Sequence, residues 1–131
     1  MTQSNQPSEA DKTSLIAELR QADIKHSPEN ILGIAKLPDG NIVFLESGDS
    51  ESGLQHILQE HSDDFADRGI SPDQIADVVM AAVTTGRFVG YQGRSRTRLI
   101  YELTFNGETQ YIAVTIGSNG YIVGANPRSS P

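Results

Sequence analysis

Two of the chain's three histidines fall in one short stretch, Gly53-Leu54-Gln55-His56-Ile57-Leu58-Gln59-Glu60-His61. The polar groups that could converge on them come from the far end of the sequence: Arg96, Arg98, Tyr101, Thr115 and the run from Ser118 to Asn126. No Ser-His-Asp order or nucleophile elbow is present. No glycine-rich phosphate loop is present either, because Gly117-Ser118-Asn119-Gly120 reads as a hairpin turn with no lysine after it. The acids and histidines are scattered rather than set at metal-ligand spacing, so no metal residue is assigned. What remains is metal-free general acid–base chemistry beside arginine, with no cofactor. Imidazole suits proton transfer near neutral pH because its unperturbed pKa is about 6.5. Arginine offers a two-pronged fork to phosphate.

Cleavage of RNA by its own 2′-hydroxyl needs little more than this. A base removes the 2′ proton, an acid protonates the departing 5′ oxygen, and cations stabilise the added charge on phosphate. Leu54, Ile57, Leu58 and His61 fall at i, i+3, i+4 and i+7, one face of an amphipathic helix that Phe65 extends. His56 and His61 are five positions apart, so at about 100° per residue their side chains point about 140° apart. They do not form a metal pair on one helical face. His61 lies on the inward stripe and is the first expectation for the acid or base, with His56 second. A histidine on an apolar face is more often a packed structural residue, and that reading stands beside the catalytic one.

The chain has 131 residues and 37% hydrophobic residues, enough for one core. No run approaches the roughly 18 apolar residues of a membrane span, so no membrane partner is expected. Met1 to Ser14 has no apolar segment of the kind a signal peptide carries, and a cytoplasmic site of action is expected, reached by delivery into a target cell if the protein is secreted. Cysteine is absent, which removes disulfides, zinc–thiolate sites and cysteine nucleophiles. The net charge of −7 argues at first against nucleic acid. Its distribution argues otherwise. Residues 1–85 carry five basic and fifteen acidic side chains, whereas the rest carries Arg87, Arg94, Arg96, Arg98 and Arg128 against Glu102 and Glu108. Anion contacts are therefore expected in the C-terminal third, with Arg94 and Arg96 as substrate-binding candidates. On the plainer reading, acidic helices keep the chain soluble and the arginines are simply exposed.

The elements that would position these groups read as follows. Residues 1–13 are polar and expected to be disordered, and residues 14–131 form the domain. A short helix spans Ser14 to Ala22. Two apolar runs, Ile31–Leu37 and Ile42–Leu45, flank Pro38-Asp39-Gly40 as a β-hairpin. The histidine helix runs from Gly53 to about Asp67 and stops at Gly69. Ser71-Pro72-Asp73 restarts a helix that Thr84-Thr85-Gly86 ends. Strands follow at Phe88–Tyr91, Arg96–Phe105, Thr109–Ile116 and Tyr121–Ala125, with Asn106-Gly107 as a two-residue hairpin turn. Helices first and an antiparallel meander second predict an α+β fold, with N-terminal helices packed on one face of a C-terminal antiparallel sheet of about four strands.

Phe44-Leu45-Glu46-Ser47-Gly48, then Gly53 to Leu58 with His61 and Phe65, resembles the core of a bacterial toxin nuclease superfamily, the barnase–EndoU–colicin–RelE group, in its phage- and polymorphic-toxin-associated branch. Ile75, Gly86, Arg98 with Tyr101, the Val-Thr-Ile strand, and Asn119 to Pro127 continue the resemblance over roughly residues 42 to 127. It implies a metal-independent ribonuclease whose helix histidine acts with polar residues on the sheet. Carried over by position, His61 matches the motif histidine best and His56 is the other candidate. Arg98 and Tyr101 match the strand pair, Thr115 the next strand, and Asn126 the terminal turn, with Asn119 beside it as a binding residue. Glu60 stands where the group commonly has a basic residue. That departure points to a selective substrate such as tRNA rather than RNA at large. A cognate immunity protein is the implied protein partner. The rival expectation is a catalytically inactive binding or interaction domain of the same fold.

Overall fold

The computed structural model describes residues 9–94 and 96–131 of the chain. In order, the elements are α1 (Glu9–Gln21), β1 (Ile31–Lys36), β2 (Ile42–Glu46), α2 (Leu54–Ala66), α3 (Ile75–Thr85), β3 (Arg87–Tyr91), β4 (Arg98–Phe105), β5 (Glu108–Ile116) and β6 (Ile122–Arg128). The fold is α+β, with helices in the N-terminal half, a two-stranded sheet β1-β2, and a four-stranded antiparallel sheet in the order β3-β4-β5-β6. The first helix begins at Glu9 rather than Ser14. Glu-Ala-Asp-Lys are compatible with a helix, and acids suit its positive N-terminal end, so the helix extends beyond its apolar residues. The disorder expected for residues 1–8 lies outside the described residues. No helix among the described residues is long and apolar enough to cross a membrane.

Strand chemistry sets the main sheet. Asn106 and Gly107 both take positive φ (54° and 79°), the conformation of a two-residue hairpin turn whose twist matches the flanking strands. From that turn β4 and β5 pair without interruption, from Phe105↔Glu108 to Arg98↔Thr115. Alternation then divides the side chains between two faces. Tyr101, Leu103, Ile112, Val114 and Ala125 join the main core with α2 and α3. Opposite residues in the register share a face, so three cross-strand rows lie on the other side: Arg98–Thr115–Gly124, Ile100–Ala113–Asn126 and Glu102–Tyr111–Arg128.

The stripe expected on α2 packs inward. Ile57 and Phe65 are fully buried, each worth about 1.5–3 kcal/mol of apolar transfer, and Leu54 and Leu58 pack beside them. The helix α3 is nearly all apolar and forms the centre of the core. A backbone capping box starts its first turn, with Ser71 and Gln74 each satisfying the other's backbone. The helix α1 instead covers the small sheet, in a second cluster of Leu15, Leu19, Ile31, Ile34 and Phe44.

One seam joins the two sheets and fixes the start of α2. Phe44 forms a single parallel bridge with Tyr121, and its backbone N–H donates to Gly120 O (3.0 Å). The chain then loops through residues 47–53, where Gly53 N–H donates to Val123 O on the edge of β6 (3.0 Å). Gly53 has φ of 83°, and a Cβ there would lie 2.8 Å from Gly48 Cα and 2.9 Å from Glu46 O, so only glycine fits this turn. Val123 is the extra residue where the β5–β6 register shifts, between Thr115↔Gly124 and Ile116↔Ile122. The bulge, the loop and the first turn of α2 therefore meet at one corner of the sheet.

Candidate functional site

At that corner His56, in the first turn of α2, reaches over β6. A Cβ placed on Gly124 would stand 3.6 Å from His56 Cδ2, 3.8 Å from His56 Nε2 and 3.7 Å from Arg98 Nη2. The imidazole edge and the guanidinium tip thus face one point above a residue that has no side chain. His56 Nδ1 lies 2.9 Å from Ser50 O. A carbonyl oxygen can only accept, so Nδ1 carries the hydrogen and Nε2 of the neutral ring keeps a lone pair. The loop that presents Ser50 is itself braced. Asp49 Oδ1 accepts from the backbone N–H of Glu51 and Ser52 (2.9 and 3.2 Å), and Ser52 Oγ meets Tyr121 Oη at 2.9 Å.

Arg98 is held by the neighbouring strands. Its Nε donates to Thr115 Oγ1 (2.6 Å) and its Nη1 to Asn126 Oδ1 (2.9 Å). Nη2, the guanidinium nitrogen that faces the point above Gly124, has no hydrogen bond among the described residues and can donate to a ligand. The lattice continues through Gln92, whose Oε1 accepts from Asn126 Nδ2 (3.1 Å) and from Arg128 Nη1 (3.0 Å). One row further, Glu102 bonds Arg87 Nη2 (3.0 Å) and the Tyr111 hydroxyl. The Arg87 bond, then the Tyr111 bond, holds the Glu102 carboxyl below the ordinary carboxylate range, and the same bond to Glu102 pushes Tyr111 up. The face therefore offers three arginines, an imidazole whose Nε2 points away from its Ser50 anchor, and, among the described residues, a carboxylate already paired. It can accept a proton from a hydroxyl and bind an oxyanion at the same point.

The sequence-derived candidates divide as follows. His56, Arg98, Thr115 and Asn126 come together. His61 remains on α2, half-buried, with Nδ1 bonded to Asp64 Oδ2 (2.9 Å), an i,i+3 pair on its own helix. Tyr101 is 8% exposed on the helix-facing side of the sheet, three positions and hence one face away from Arg98. Burial, then Tyr91, pushes its hydroxyl pKa up. With Asn119, Tyr101 lines a separate cleft of about 360 Å³ between the β1–β2 hairpin and the β5–β6 turn. Asn119 Oδ1 caps that turn by accepting from Tyr121 N–H (3.1 Å). The strand expected from Arg96 begins at Arg98, leaving Arg94 and Arg96 exposed in the β3–β4 loop. Gln92, Gly124 and Arg128 were missed. The last two could have been found by counting in twos from Asn126 along a strand.

Among the described residues no group of three or more His, Asp or Glu side chains is placed to hold a metal ion. No protein-family model matches the chain, and no curated protein matches it.

Proposed function

We propose that the chain is an endoribonuclease of the barnase–EndoU–colicin–RelE type that cleaves RNA without a metal. The observation that carries this reading is the meeting of His56 Nε2 and Arg98 Nη2 over Gly124, with Nδ1–H of the imidazole fixed on Ser50 O. In the reaction His56 Nε2 takes the proton of the 2′-hydroxyl. The 2′ oxygen–phosphorus bond forms as the bond from phosphorus to the 5′ oxygen breaks, and the 5′ oxygen takes a proton from water at the open sheet face. Arg98 donates to the phosphate oxygens as their charge grows, and Thr115 and Asn126 hold its fork in place beforehand. The products are a 2′,3′-cyclic phosphate and a 5′-hydroxyl. His61, paired with Asp64, is assigned no proton transfer.

The acidic first two thirds of the chain restrict RNA to the arginine-bearing face, which favours a selective substrate such as tRNA over RNA at large. On this reading the protein acts in a cytoplasm, its own or that of a target cell, and a cognate immunity protein would cover the same face. A second reading, an inactive binding domain of the same fold, is favoured by one observation: a single imidazole, not a pair, faces the arginine. Incubating the pure protein with total RNA in excess chelator separates the two. Discrete tRNA-sized fragments support the nuclease, and intact RNA supports the binding domain.

A further inference from the structure

We infer that the exposed edge strand β3 is a base-stacking platform for single-stranded RNA, set on the opposite face of the sheet from the His56–Arg98 site and resting on the ribonuclease reading above. Phe88 and Tyr91 leave 46% and 43% of their surface exposed, although large apolar side chains are normally covered. Their rings meet edge-to-face at 5.1 Å, and Phe88 is backed by Tyr101 at 6.4 Å. The pair is thus supported from the core side and open on the other. No strand pairs with the outer edge of β3 among the described residues.

Charge identifies the occupant. From Gly86 to Tyr101 the chain has no acid and four arginines, Arg87, Arg94, Arg96 and Arg98, in a protein of net charge −7. The Arg96 guanidinium lies 5.7 Å from the centre of the Tyr91 ring, so a cation already sits beside the stacking surface. Aromatic rings interleaved with arginines suit a strand of nucleotides, the rings taking base faces and the arginines taking phosphates. Gln92 follows Tyr91 directly and bonds Asn126, which holds Arg98. Tyr91 itself pairs with Leu99 and faces the other side of the sheet, so an RNA strand stacked on Tyr91 reaches Arg98 by passing around the open β3 edge. A peptide adding itself to the β3 edge would use backbone bonds and would not depend on the rings.

The test is equilibrium binding of the full chain to a labelled, single-stranded 2′-O-methyl RNA and to an abasic oligonucleotide of the same length. Neither can be cut by a 2′-hydroxyl, so the result is independent of activity. The base-bearing strand should bind tighter than the abasic one. Tyr91→Ala and Phe88→Ala should each weaken it by about ten- to a hundredfold, what one stacked base contributes, while Tyr91→Phe should bind like the wild type. Equal affinity for the abasic strand, or no binding at all, overturns the inference even if an alanine variant fails to fold. Wild-type affinity in both alanine variants overturns it too. If RNA is cleaved and the platform variants bind normally, only the platform is wrong. If the platform binds bases but RNA stays intact, only the nuclease reading is wrong.

Discussion

Gly124→Ala should separate activity from stability more cleanly than removal of any charged side chain. The new methyl would sit 3.6 Å from His56 Cδ2, 3.8 Å from Nε2 and 3.7 Å from Arg98 Nη2, ordinary contact distances that require no neighbour to move. Gly124 is not among the residues with positive φ, so alanine can adopt its backbone. Replacing glycine under those conditions stiffens the unfolded chain and stabilises the fold by about 0.4–1 kcal/mol. For a chain of this size the melting temperature should rise by roughly 1–5 °C. The same methyl fills the point at which the scissile phosphate must meet both groups. Displacing a reacting atom by about 1 Å can cost about 10²-fold in rate. Cleavage of a fluorogenic RNA should therefore fall by about two orders of magnitude in a protein that melts at or above the wild-type temperature. Full activity would refute the placement of the reaction over Gly124, and a variant that melts several degrees lower would refute the packing.

His56→Ala should lower cleavage by about 10²–10⁴-fold, and His61→Ala, which removes only the pair with Asp64, by far less, as read by steady-state rates on one RNA. Because Arg87 and Tyr111 lower the folded pKa of Glu102, the stability it contributes is present above the ordinary carboxylate value and lost as pH falls through the lowered one. Glu102→Gln should accordingly lose a small amount of stability at neutral pH and flatten the acid limb of a stability–pH profile, converging on the wild type at low pH, which denaturation at a series of pH values will read. With about two or three phosphate contacts to a single strand, log affinity should fall against log salt with a slope of roughly −1.4 to −2, measured by titration at several ionic strengths. Converting Arg94, Arg96 and Arg98 to alanine should flatten that slope.

Local signals carried much of the architecture. Asn106-Gly107, Pro38-Asp39-Gly40 and the period of Leu54, Ile57, Leu58 and Phe65 each dictate their own element, and those elements in order imply helices on an antiparallel sheet. The choice between the two histidines was not local. On a helical wheel His56 falls off the core stripe and reads as solvent-facing, and only the docking of Gly53 on Val123 turns that direction over the sheet corner. That contact joins residues 70 positions apart through a bulge and a glycine turn, neither of which has a periodic signal. The separation of Tyr101 from Arg98 was legible, since an odd spacing on a strand reverses the face. Arg98, Thr115 and Asn126 were individually visible. Their convergence depends on the β4-β5-β6 register, and that is fixed by the turns between the strands.

The most direct test of the central claim is the terminal chemistry of cleavage. An oligoribonucleotide that the protein cuts is prepared again with a single 2′-deoxy substitution at the cut site, and both are incubated in excess chelator and analysed by mass spectrometry. Attack by the 2′-hydroxyl under His56 predicts a 2′,3′-cyclic phosphate and a 5′-hydroxyl from the first strand, no cut at the substituted position in the second, and almost no product from His56→Ala. Cleavage at the deoxy position, loss of activity on chelation, or undiminished activity in His56→Ala would contradict it.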